Sequence, residues 1–363
     1  MKIAMISPSR ESEKAISGYS KELVKNLNKN NVNVDFVSYE AGKPRTFFKL
    51  FKKLKKYDII HLQHEYALLS CYSIPFFIVY LYFLIFKKYK VITTLHTALS
   101  LKQKFKGNFL KNFLRKILYI FQNRLINKAS DLIIVHSDFF VPILVNEYKF
   151  PREKIKVIPQ GIIEKVPKIS KEKAKKELNL SGNVYLIMGN LHWDKGADII
   201  LRQADKIGKT ILIVSSPIAV NDRKQKRKTE YINSLKNIVK DNNFSEYIQF
   251  NIKPLNDETS LWWKYFSAAD LVIQAYRGAI GSGIVTNAIA SKTPIIGSEI
   301  PFFKDIEKNY GCLKTTNDFA QAIKQAMISK NYEKMVKECE RYMKENGLTP
   351  ISKKYKKLYQ GLE

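Results

Sequence analysis

With 363 residues, 45% of them hydrophobic and 12% aromatic, the chain can form two domains with cores of their own, and its composition excludes an intrinsically disordered protein. Its three cysteines, Cys71, Cys312 and Cys339, share no close spacing, which excludes a disulfide framework or a cysteine metal site and favours a reducing compartment. The net charge of +29 suggests an anionic partner, but the basic residues run through the whole chain without a nucleic-acid-binding motif, so we expect no nucleic acid.

The first half of the sequence alternates short apolar runs with amphipathic segments. Six runs rich in β-branched residues predict strands: KIAMISP, VDFVSY, DIIHLQ, VITTLH, DLIIVHS and IKVIPQG. The segments SKELVKNLNK and NFLKNFLRKILYIFQNRLINK have the apolar spacing of helices. This alternation predicts a parallel, doubly wound sheet, and because the first strand begins almost at Met1 we expect no signal peptide.

The region from Tyr66 to Ser130 contains no Asp or Glu. Its apolar run, Cys71–Phe86, is 16 residues long and shorter than the roughly 20 residues that span a bilayer, so we expect a buried or interfacial helix. The helix predicted after it is also basic, with Lys111, Arg115, Lys116 and Arg124. Two interpretations stay open: a face that binds an anionic membrane surface, or apolar faces packed on the sheet with solvated lysines around them.

A charged segment, EKVPKISKEKAKKELNLSG, separates the two halves and predicts a linker followed by an exposed helix. Beyond it the alternation resumes with the strand candidates VYLIMG, ILIVSS, IQFNI, LVIQAY and PIIGS. We therefore expect an α/β protein with two doubly wound parallel-sheet domains, at residues 1–163 and 164–345. The last segment, residues 346–363, is predicted to be a helix.

Two loops of the second domain follow predicted strands, where doubly wound sheets bind their ligands. The loop GNLHWDKG, from Gly189 to Gly196, places Lys195 where its ammonium could hold an anion; the alternative is an exposed lysine beside a turn. In YRGAIGSGIVTNAIASKTP, glycines precede a predicted helix whose N-terminal amides and dipole favour an anion. The alternative for this stretch is a structural turn that needs glycine.

Three histidines and a glycine are the candidates in the first domain. His96 ends the predicted strand VITTLH, where an imidazole could hydrogen-bond a sugar or transfer a proton. His61 and His64 are three residues apart on a strand and point to opposite faces, so we expect no shared metal. In AISGYSKEL, Gly18 and the serines beside it lead into a predicted helix and could meet an anion or a hydroxyl.

Taken in order, these stretches resemble the family 4 retaining glycosyltransferases of the GT-B fold. MKIAMISP with SGYSKEL resembles the family's first strand and glycine-rich loop, and DIIHLQHE, VITTLH and IKVIPQGI resemble later segments of its N-terminal domain. GNLHWDKG resembles its phosphate motif, and YFSAADLVIQAY with GSGIVTNAIASKTPII resembles its donor-binding segment. The resemblance implies two Rossmann-like domains facing across a cleft, with the nucleotide sugar on the second, the acceptor on the first, and the last helix crossing back to the first.

The resemblance also implies roles for individual residues. Lys195 would hold the donor diphosphate, and His96 would hydrogen-bond the donor sugar near the reacting carbon. Gly18 would let the loop of the first domain close over the phosphates. Backbone amides for the diphosphate would come from the glycine turn: Gly281, Ser282 and Gly283.

The sequence departs from the family where many members carry two glutamates eight positions apart. Aligning NAIASKTP with the family's Glu-Ala-Met-Ala-Ala-Gly-Thr-Pro puts Ala279 and Asn287 at those positions. Asn287 could still hydrogen-bond the ribose hydroxyls, more weakly than a carboxylate. Glu299 and Asp305 are the nearest carboxylates that could replace the first glutamate; the alternative for each is a solvated or structural role.

The phosphate motif departs from the family as well. Asn190 stands where an arginine is usual, and Arg277 is the candidate to replace that arginine. The sequence is similar to a subgroup of the family in its Tyr-Arg, Ser-Gly and small-residue helix pattern. The residues that carry this pattern are Tyr276, Arg277, Ser282 and Gly283.

We therefore predict a metal-independent, retaining hexosyltransferase that moves a sugar from a nucleoside diphosphate sugar to a cell-envelope glycan or glycolipid acceptor. In such a reaction the departing phosphate oxygen can take the acceptor proton, so catalysis depends on cations and amides around the diphosphate, with His96, Lys195 and Arg277 as the predicted catalytic residues. The chain has no Asp-x-Asp sequence to hold a divalent cation, and no cofactor is expected besides the co-substrate. The alternative is a catalytically silent glycosyltransferase-like subunit or sugar-nucleotide-binding protein. We expect a cytoplasmic location, at the inner face of the cell membrane if the basic region binds lipid.

Overall fold

The computed structural model describes residues 1–66, 68–69, 74–86, 88–103, 108–208, 210–216, 222–253, 260–278 and 281–362. The chain divides into two compact units. The N-unit contains residues 1–161 and 346–363, and the C-unit contains residues 162–345.

The N-unit is built on one six-stranded sheet. Its strands are β1 (Ile3–Pro8), β2 (Val34–Tyr39), β3 (Ile59–His64), β4 (Lys90–Leu95), β5 (Leu132–Val135) and β6 (Ile155–Val157), in the order β2-β1-β3-β4-β5-β6 and all parallel. Its helices are α1 (Lys14–Lys29), α2 (Pro44–Phe48), α3 (Phe51–Leu54), α4 (Ile74–Ile85), α5 (Phe109–Ala129) and α6 (Phe140–Pro142), with a π-helix at Ile143–Glu147 and a 3-10 turn at Arg152–Lys154. β1 and β3 are buried along their whole length, as expected for parallel strands with both faces covered.

The C-unit is built on a second six-stranded parallel sheet. Its strands are β7 (Val184–Met188), β8 (Thr210–Ser215), β9 (Ile248–Ile252), β10 (Leu271–Gln274), β11 (Ile295–Gly297) and β12 (Leu313–Thr315). Its helices are α7 (Lys171–Glu177), α8 (Ala197–Leu201), α9 (Ala204–Ile207), α10 (Asp222–Asp241), α11 (Ser260–Ala268), α12 (Gly283–Ala290), α13 (Pro301–Asn309), α14 (Phe319–Ala326) and α15 (Ser329–Asn346), with a 3-10 turn at Trp193–Lys195.

The strand order of the C-unit sheet places its ligand site. The order is β12-β11-β10-β7-β8-β9, which is the Rossmann order when the strands are counted from β7. β7 pairs with β10, with Tyr185 opposite Leu271. From this central pair, β8 and β9 extend the sheet on one side, and β11 and β12 extend it on the other. The crevice at the carboxyl ends of β7 and β10 is therefore the topological switch point, where ligands of this fold bind.

The last helix, α16 (Leu348–Gln360), belongs to the N-unit and completes its core. Tyr355 and Tyr359 are fully buried. The Tyr359 hydroxyl is hydrogen-bonded to Nδ1 of His61 on β3 at 2.6 Å, and the Tyr355 and Tyr19 hydroxyls lie 3.4 Å apart. Because these polar atoms have no access to water, their mutual hydrogen bonds fix where α16 packs.

Candidate functional site

Two loops meet at the switch point of the C-unit, one after β7 and one after β10. Gly196 closes the β7 loop at a positive φ of 65°, and a Cβ there would lie 1.8 Å from the carbonyl oxygen of Ala275. At the start of the same loop, a Cβ on Gly189 would lie 3.4 Å from the side chain of Ile284 in α12. The β7 loop is therefore in direct contact with both the end of β10 and the first turn of α12.

Lys195 ends the 3-10 turn of the β7 loop and is half-buried. Its Nζ lies 3.9 Å from the centre of the Tyr276 ring, a cation–π contact. The Tyr276 hydroxyl is in turn 3.2 Å from Oγ of Ser282, so the ring is held in place. Burial lowers the pKa of Lys195, and the charge of Asp194 offsets this only in part. A desolvated ammonium without an ion pair to any described carboxylate is suited to an incoming anion.

The glycine turn leads into the N-terminus of α12. Ser282 is the N-cap residue, but its side chain makes no capping hydrogen bond. The amides of Gly283 and Ile284 have no partner among the described residues, and Gly281 and Gly283 are exposed. Free first-turn amides together with the helix dipole favour an anion at this position.

The two positions where the family carries glutamates are occupied by Ala279 and Asn287. Ala279 lies outside the described residues. Asn287 is half-buried on α12, and its side chain has no hydrogen-bond partner in the described part of the chain, so its amide can meet a ligand. Of the two substitute carboxylates, Glu299 pairs with Lys304 at 2.8 Å on the surface, and Asp305 lies in α13.

Arg277 joins the two loops through a half-buried ion pair. Its guanidinium donates to both carboxylate oxygens of Asp198, at 2.9 and 2.7 Å, and to the carbonyl oxygen of Trp193 at 2.5 Å. It also stacks 4.4 Å from the Trp193 ring, while the Tyr231 hydroxyl donates to Asp198 at 2.6 Å. The charge of Arg277 is thus balanced by Asp198. In this structure the residue braces the β7 loop, and its replacement of the missing arginine stays a prediction.

Asn190 is exposed on the β7 loop, and its side-chain oxygen accepts a hydrogen bond from Nζ of Lys228 at 3.1 Å. Lys228 comes from α10 and is fully buried. This lysine could not be identified from the sequence because it lies in the run KQKRKTEY, where nothing distinguishes it from its exposed neighbours.

In the N-unit, His96 follows β4 and is packed among other rings. Its Nε2 lies 2.8 Å from Oε1 of Gln63, and its ring is 5.0 Å from that of His136 and 5.9 Å from that of Tyr19. Burial, with a smaller effect of His136, lowers the pKa of His96 well below 6.5, so the imidazole is neutral at neutral pH. Because Oε1 of Gln63 only accepts, Nε2 carries the proton and Nδ1 is left as an acceptor.

Gly18 does not lie in a loop before a helix, and that prediction is wrong. Helix α1 already begins at Lys14 and contains Gly18. The carboxylate of Glu13 caps it, accepting from the amides of Ala15, Ile16 and Ser17 at 3.0, 2.6 and 3.3 Å. The first turn of α1 is therefore satisfied by its own chain. A role of Gly18 in closing over a ligand stays a prediction.

His61 and His64 are both fully buried, and each is hydrogen-bonded to a tyrosine. His61 bonds Tyr359, and Nδ1 of His64 lies 3.3 Å from the hydroxyl of Tyr80. Within the described ranges, no group of three or more His, Cys, Asp or Glu side chains could hold a metal ion. These histidines are part of the N-unit core.

An exposed apolar surface covers α4 and α5, which pack side by side. Of the fourteen large apolar side chains that are exposed in the described part of the protein, ten lie here. We call this surface the α4–α5 face; it consists of Ile74, Ile78, Leu81, Ile85, Phe86, Phe109, Leu110, Phe113, Leu114 and Phe121. α5 instead buries the side that carries Tyr119, Gln122, Asn123 and Ile126. None of the helices in the described ranges is both long and apolar enough to cross a bilayer.

Comparison with known proteins supports the family resemblance. Residues 32–165 match the model of Glycosyltransferase Family 4. HepE of Anabaena in complex with UDP has a TM-score of 0.72 at 13% identity, covering 99% of this chain and 100% of that chain. The same protein solved with UDP-glucose has a TM-score of 0.69 at 13% identity. Sucrose-phosphate synthase of Thermosynechococcus elongatus has a TM-score of 0.74 at 16% identity, covering 100% and 99%. A glycosyltransferase of Rickettsia africae has a TM-score of 0.70 at 16% identity, covering 99% and 98%.

A search of the curated proteins finds no significant match. The structural likeness nevertheless extends over nearly the whole length of both partners in each comparison. It confirms the predicted α/β fold with two Rossmann-like units, and the family model confirms the resemblance to family 4 in the N-unit.

Proposed function

We propose that this chain, which matches glycosyltransferase family 4 in its N-unit and has the GT-B fold, transfers a hexosyl group from a nucleoside diphosphate sugar with retention of configuration. The observation that carries this proposal is the pair of loops at the C-unit switch point. There a partly desolvated Lys195 and first-turn amides of α12 that have no partner in the described part of the chain stand on two loops that touch each other. A ligand with two linked anionic groups, such as a diphosphate, matches this arrangement.

The reaction needs little from the protein besides stabilisation of the leaving group. The bond from the anomeric carbon to the diphosphate oxygen breaks, and the acceptor oxygen bonds to the same face of that carbon. The acceptor proton passes to the departing phosphate oxygen, which leaves a glycoside and a nucleoside diphosphate. Negative charge therefore grows on the diphosphate, where the Lys195 ammonium and the α12 amides stabilise it, and no metal ion is required.

Two further side chains suit the sugar and the nucleoside. His96 is neutral, and its Nδ1 makes no hydrogen bond to any described residue, so it can accept a hydrogen bond from a sugar hydroxyl. Asn287, one turn beyond the α12 N-terminus, can hydrogen-bond the ribose. HepE, which shares the fold, was solved with UDP-glucose, and this supports a uridine donor as the first to test.

The donor site is tested by thermal unfolding with uridine and guanosine diphosphate sugars. At least one donor should raise the melting temperature, and Lys195→Ala should remove most of that increase because it removes a cation that touches the diphosphate. Lys206→Ala is the matched control, since Lys206 is an exposed lysine on α9 of the same unit. Stabilisation by no donor, or equal stabilisation of both variants, would contradict the proposal.

A catalytically silent nucleotide-sugar-binding protein is the second candidate, favoured by the asparagine at position 287 in place of a carboxylate. Both candidates predict donor binding. They differ in turnover, so release of nucleoside diphosphate from a donor that stabilises the protein separates them. Release that depends on Lys195 supports the transferase, and binding without release supports the silent protein.

We also propose that the α4–α5 face binds an anionic membrane surface and brings the enzyme to a lipid-linked or cell-envelope acceptor. On α4 the exposed apolar residues recur at intervals of four, three and four, which makes one stripe along the helix. The sequence around this stripe contains Lys and Arg but no Asp or Glu from Tyr66 to Ser130. Apolar insertion and attraction to anionic lipid therefore act together, with about 1 kcal/mol from each basic residue near the surface.

Flotation with phosphatidylcholine vesicles, with and without phosphatidylglycerol, tests the membrane proposal. The protein should float with the anionic vesicles and lose most of this binding at high salt. Phe113→Ser and Leu114→Ser should each weaken binding roughly tenfold, because each removes one exposed apolar side chain. Ile328→Ser, an equally exposed site outside the face, is the control. Failure to float, or flotation unaffected by the first two changes, would reject this surface.

A further inference from the structure

Lys228 is a fully buried lysine without a carboxylate partner in the described part of the structure. Its one hydrogen bond there is to the side-chain oxygen of Asn190, at 3.1 Å. An ammonium has three donors, so two remain for other acceptors. Burying a charge in this way is unfavourable unless an anion compensates it.

Two half-buried lysines of the C-unit, Lys171 and Lys175, show the usual solution. Lys171 and Lys175 each lie 2.8 Å from a carboxylate oxygen of Asp270, which is itself buried. Lys228 departs from this pattern, and burial lowers its pKa. A buried cation that the described chain does not neutralise indicates a site whose anion arrives from outside.

The position of Lys228 places this anion at the switch-point site. Its partner Asn190 follows Gly189, where an added Cβ would lie 3.4 Å from Ile284 in the first turn of α12; the amides of that turn have no partner among the described residues. Lys195 is on the same loop as Asn190. The ammonium of Lys228 therefore enters the switch-point site from α10, on the side of Asn190.

Arg277, the other candidate for a second diphosphate-binding cation, already forms an ion pair within the chain. Asp198 binds its guanidinium through two hydrogen bonds, and the Trp193 carbonyl accepts a third. Asp198 balances the charge of Arg277, whereas no carboxylate in the described ranges balances that of Lys228.

We propose that Lys228 is the second diphosphate-binding cation of the donor site and replaces, from helix α10, the arginine that the family carries at the position of Asn190. This inference rests on the proposed function, because it assumes that the switch-point site takes a nucleoside diphosphate. It assigns Lys195 and Lys228 to the diphosphate, and Asn190 positions the Lys228 ammonium.

The test compares the affinities of UDP and uridine, or of GDP and guanosine, by calorimetry. Lys228→Met keeps the length and apolar stem of the side chain and removes only the charge. This change should weaken the affinity for the nucleoside diphosphate roughly 10- to 100-fold and leave the affinity for the nucleoside unchanged. Lys226→Met, two residues away on the exposed side of α10, should match the wild type. Unfolding in urea without ligand checks that Lys228→Met folds; loss of an uncompensated buried charge should leave its stability equal or higher.

A second variant tests the replacement itself. Adding Asn190→Arg to Lys228→Met restores a cation at the family's own position, so diphosphate affinity should recover by at least roughly tenfold. The inference is overturned if Lys228→Met binds the diphosphate like the wild type, if it loses nucleoside and diphosphate equally, or if the double variant binds no better than Lys228→Met. Absence of any nucleoside diphosphate binding by the wild type would instead reject the proposed function.

Discussion

Replacing Gly196 with alanine should disturb the donor site more than it disturbs the fold. The new Cβ would lie 1.8 Å from the carbonyl oxygen of Ala275, whereas real contacts of this kind are not closer than 3.0 Å, so the loop must move by at least 3.0 − 1.8 = 1.2 Å. The φ of 65° adds about 1–2 kcal/mol for a residue with a Cβ, and the displaced contact adds about 1–3 kcal/mol. We therefore expect a loss of about 2–5 kcal/mol in the free energy of unfolding.

Lys195 precedes Gly196 directly, so the same movement displaces its ammonium. A displacement of about 1 Å can lower a reaction rate about 100-fold. We therefore expect the affinity for UDP, and the rate at which UDP is formed from the donor, each to fall by at least about tenfold. Gly208→Ala is the matched control: it has a φ of 63°, but its Cβ would lie 3.8 Å from the nearest atom, so it should cost only about 1–2 kcal/mol. Urea unfolding and calorimetry measure both quantities. Equal losses of stability and unchanged UDP affinity in the two variants would refute this reasoning.

Three other variants test individual contacts. Asp270→Asn should lower the free energy of unfolding by about 1.5–3 kcal/mol in urea, because it leaves two half-buried lysines without the buried carboxylate that they share. Burial raises the pKa of Asp270, but its hydrogen bonds outweigh burial and hold the pKa below 3.8. The Asp270 carboxylate therefore contributes its full stabilisation above pH 3.8. The difference in stability between Asp270→Asn and the wild type should narrow as the pH falls below 3.8. Asp198→Asn should lower the melting temperature by weakening the brace to Arg277, and an unchanged value would argue against that brace. Tyr359→Phe should cost about 1–3 kcal/mol because His61 loses a buried partner, and equal stability would show that the hydrogen bond does not hold α16.

The strands could be predicted from the sequence because buried parallel strands are near-continuous apolar runs bounded by turn residues. Eleven of the twelve strands lie where such runs occur. The exception, β12 at Leu313–Thr315, contains a single apolar residue, Leu313, so no apolar run marks it. The start of α1 was misplaced because Glu13 is not among the preferred N-cap residues, whereas the serines after it are.

The parts of the site that local sequence defines could also be found. Lys195 and the glycine turn each follow a predicted strand, and strand ends converge on the switch point. The pairing of Arg277 with Asp198 could not be predicted, since it joins residues far apart in sequence, and neither could the contact of Lys228 with Asn190. Each depends on how α8 and α10 pack on the sheet.

The exposure of the α4–α5 face could not be predicted from the sequence either. The sequence reveals an apolar stripe, but a stripe that is buried and a stripe that is exposed have the same helical period. Only the packing shows that α5 turns Tyr119 and Asn123 inward and leaves Phe113 and Leu114 exposed.

The anomeric configuration of the sugar released from a bound donor tests the central claim most directly. A donor that stabilises the protein is incubated without acceptor, and the first sugar formed is followed by proton NMR before it mutarotates. If the protein is a retaining transferase, water replaces the acceptor on the same face, and the first product has the configuration of the donor sugar. A first product of inverted configuration, or no cleavage of any donor that binds, would contradict the account.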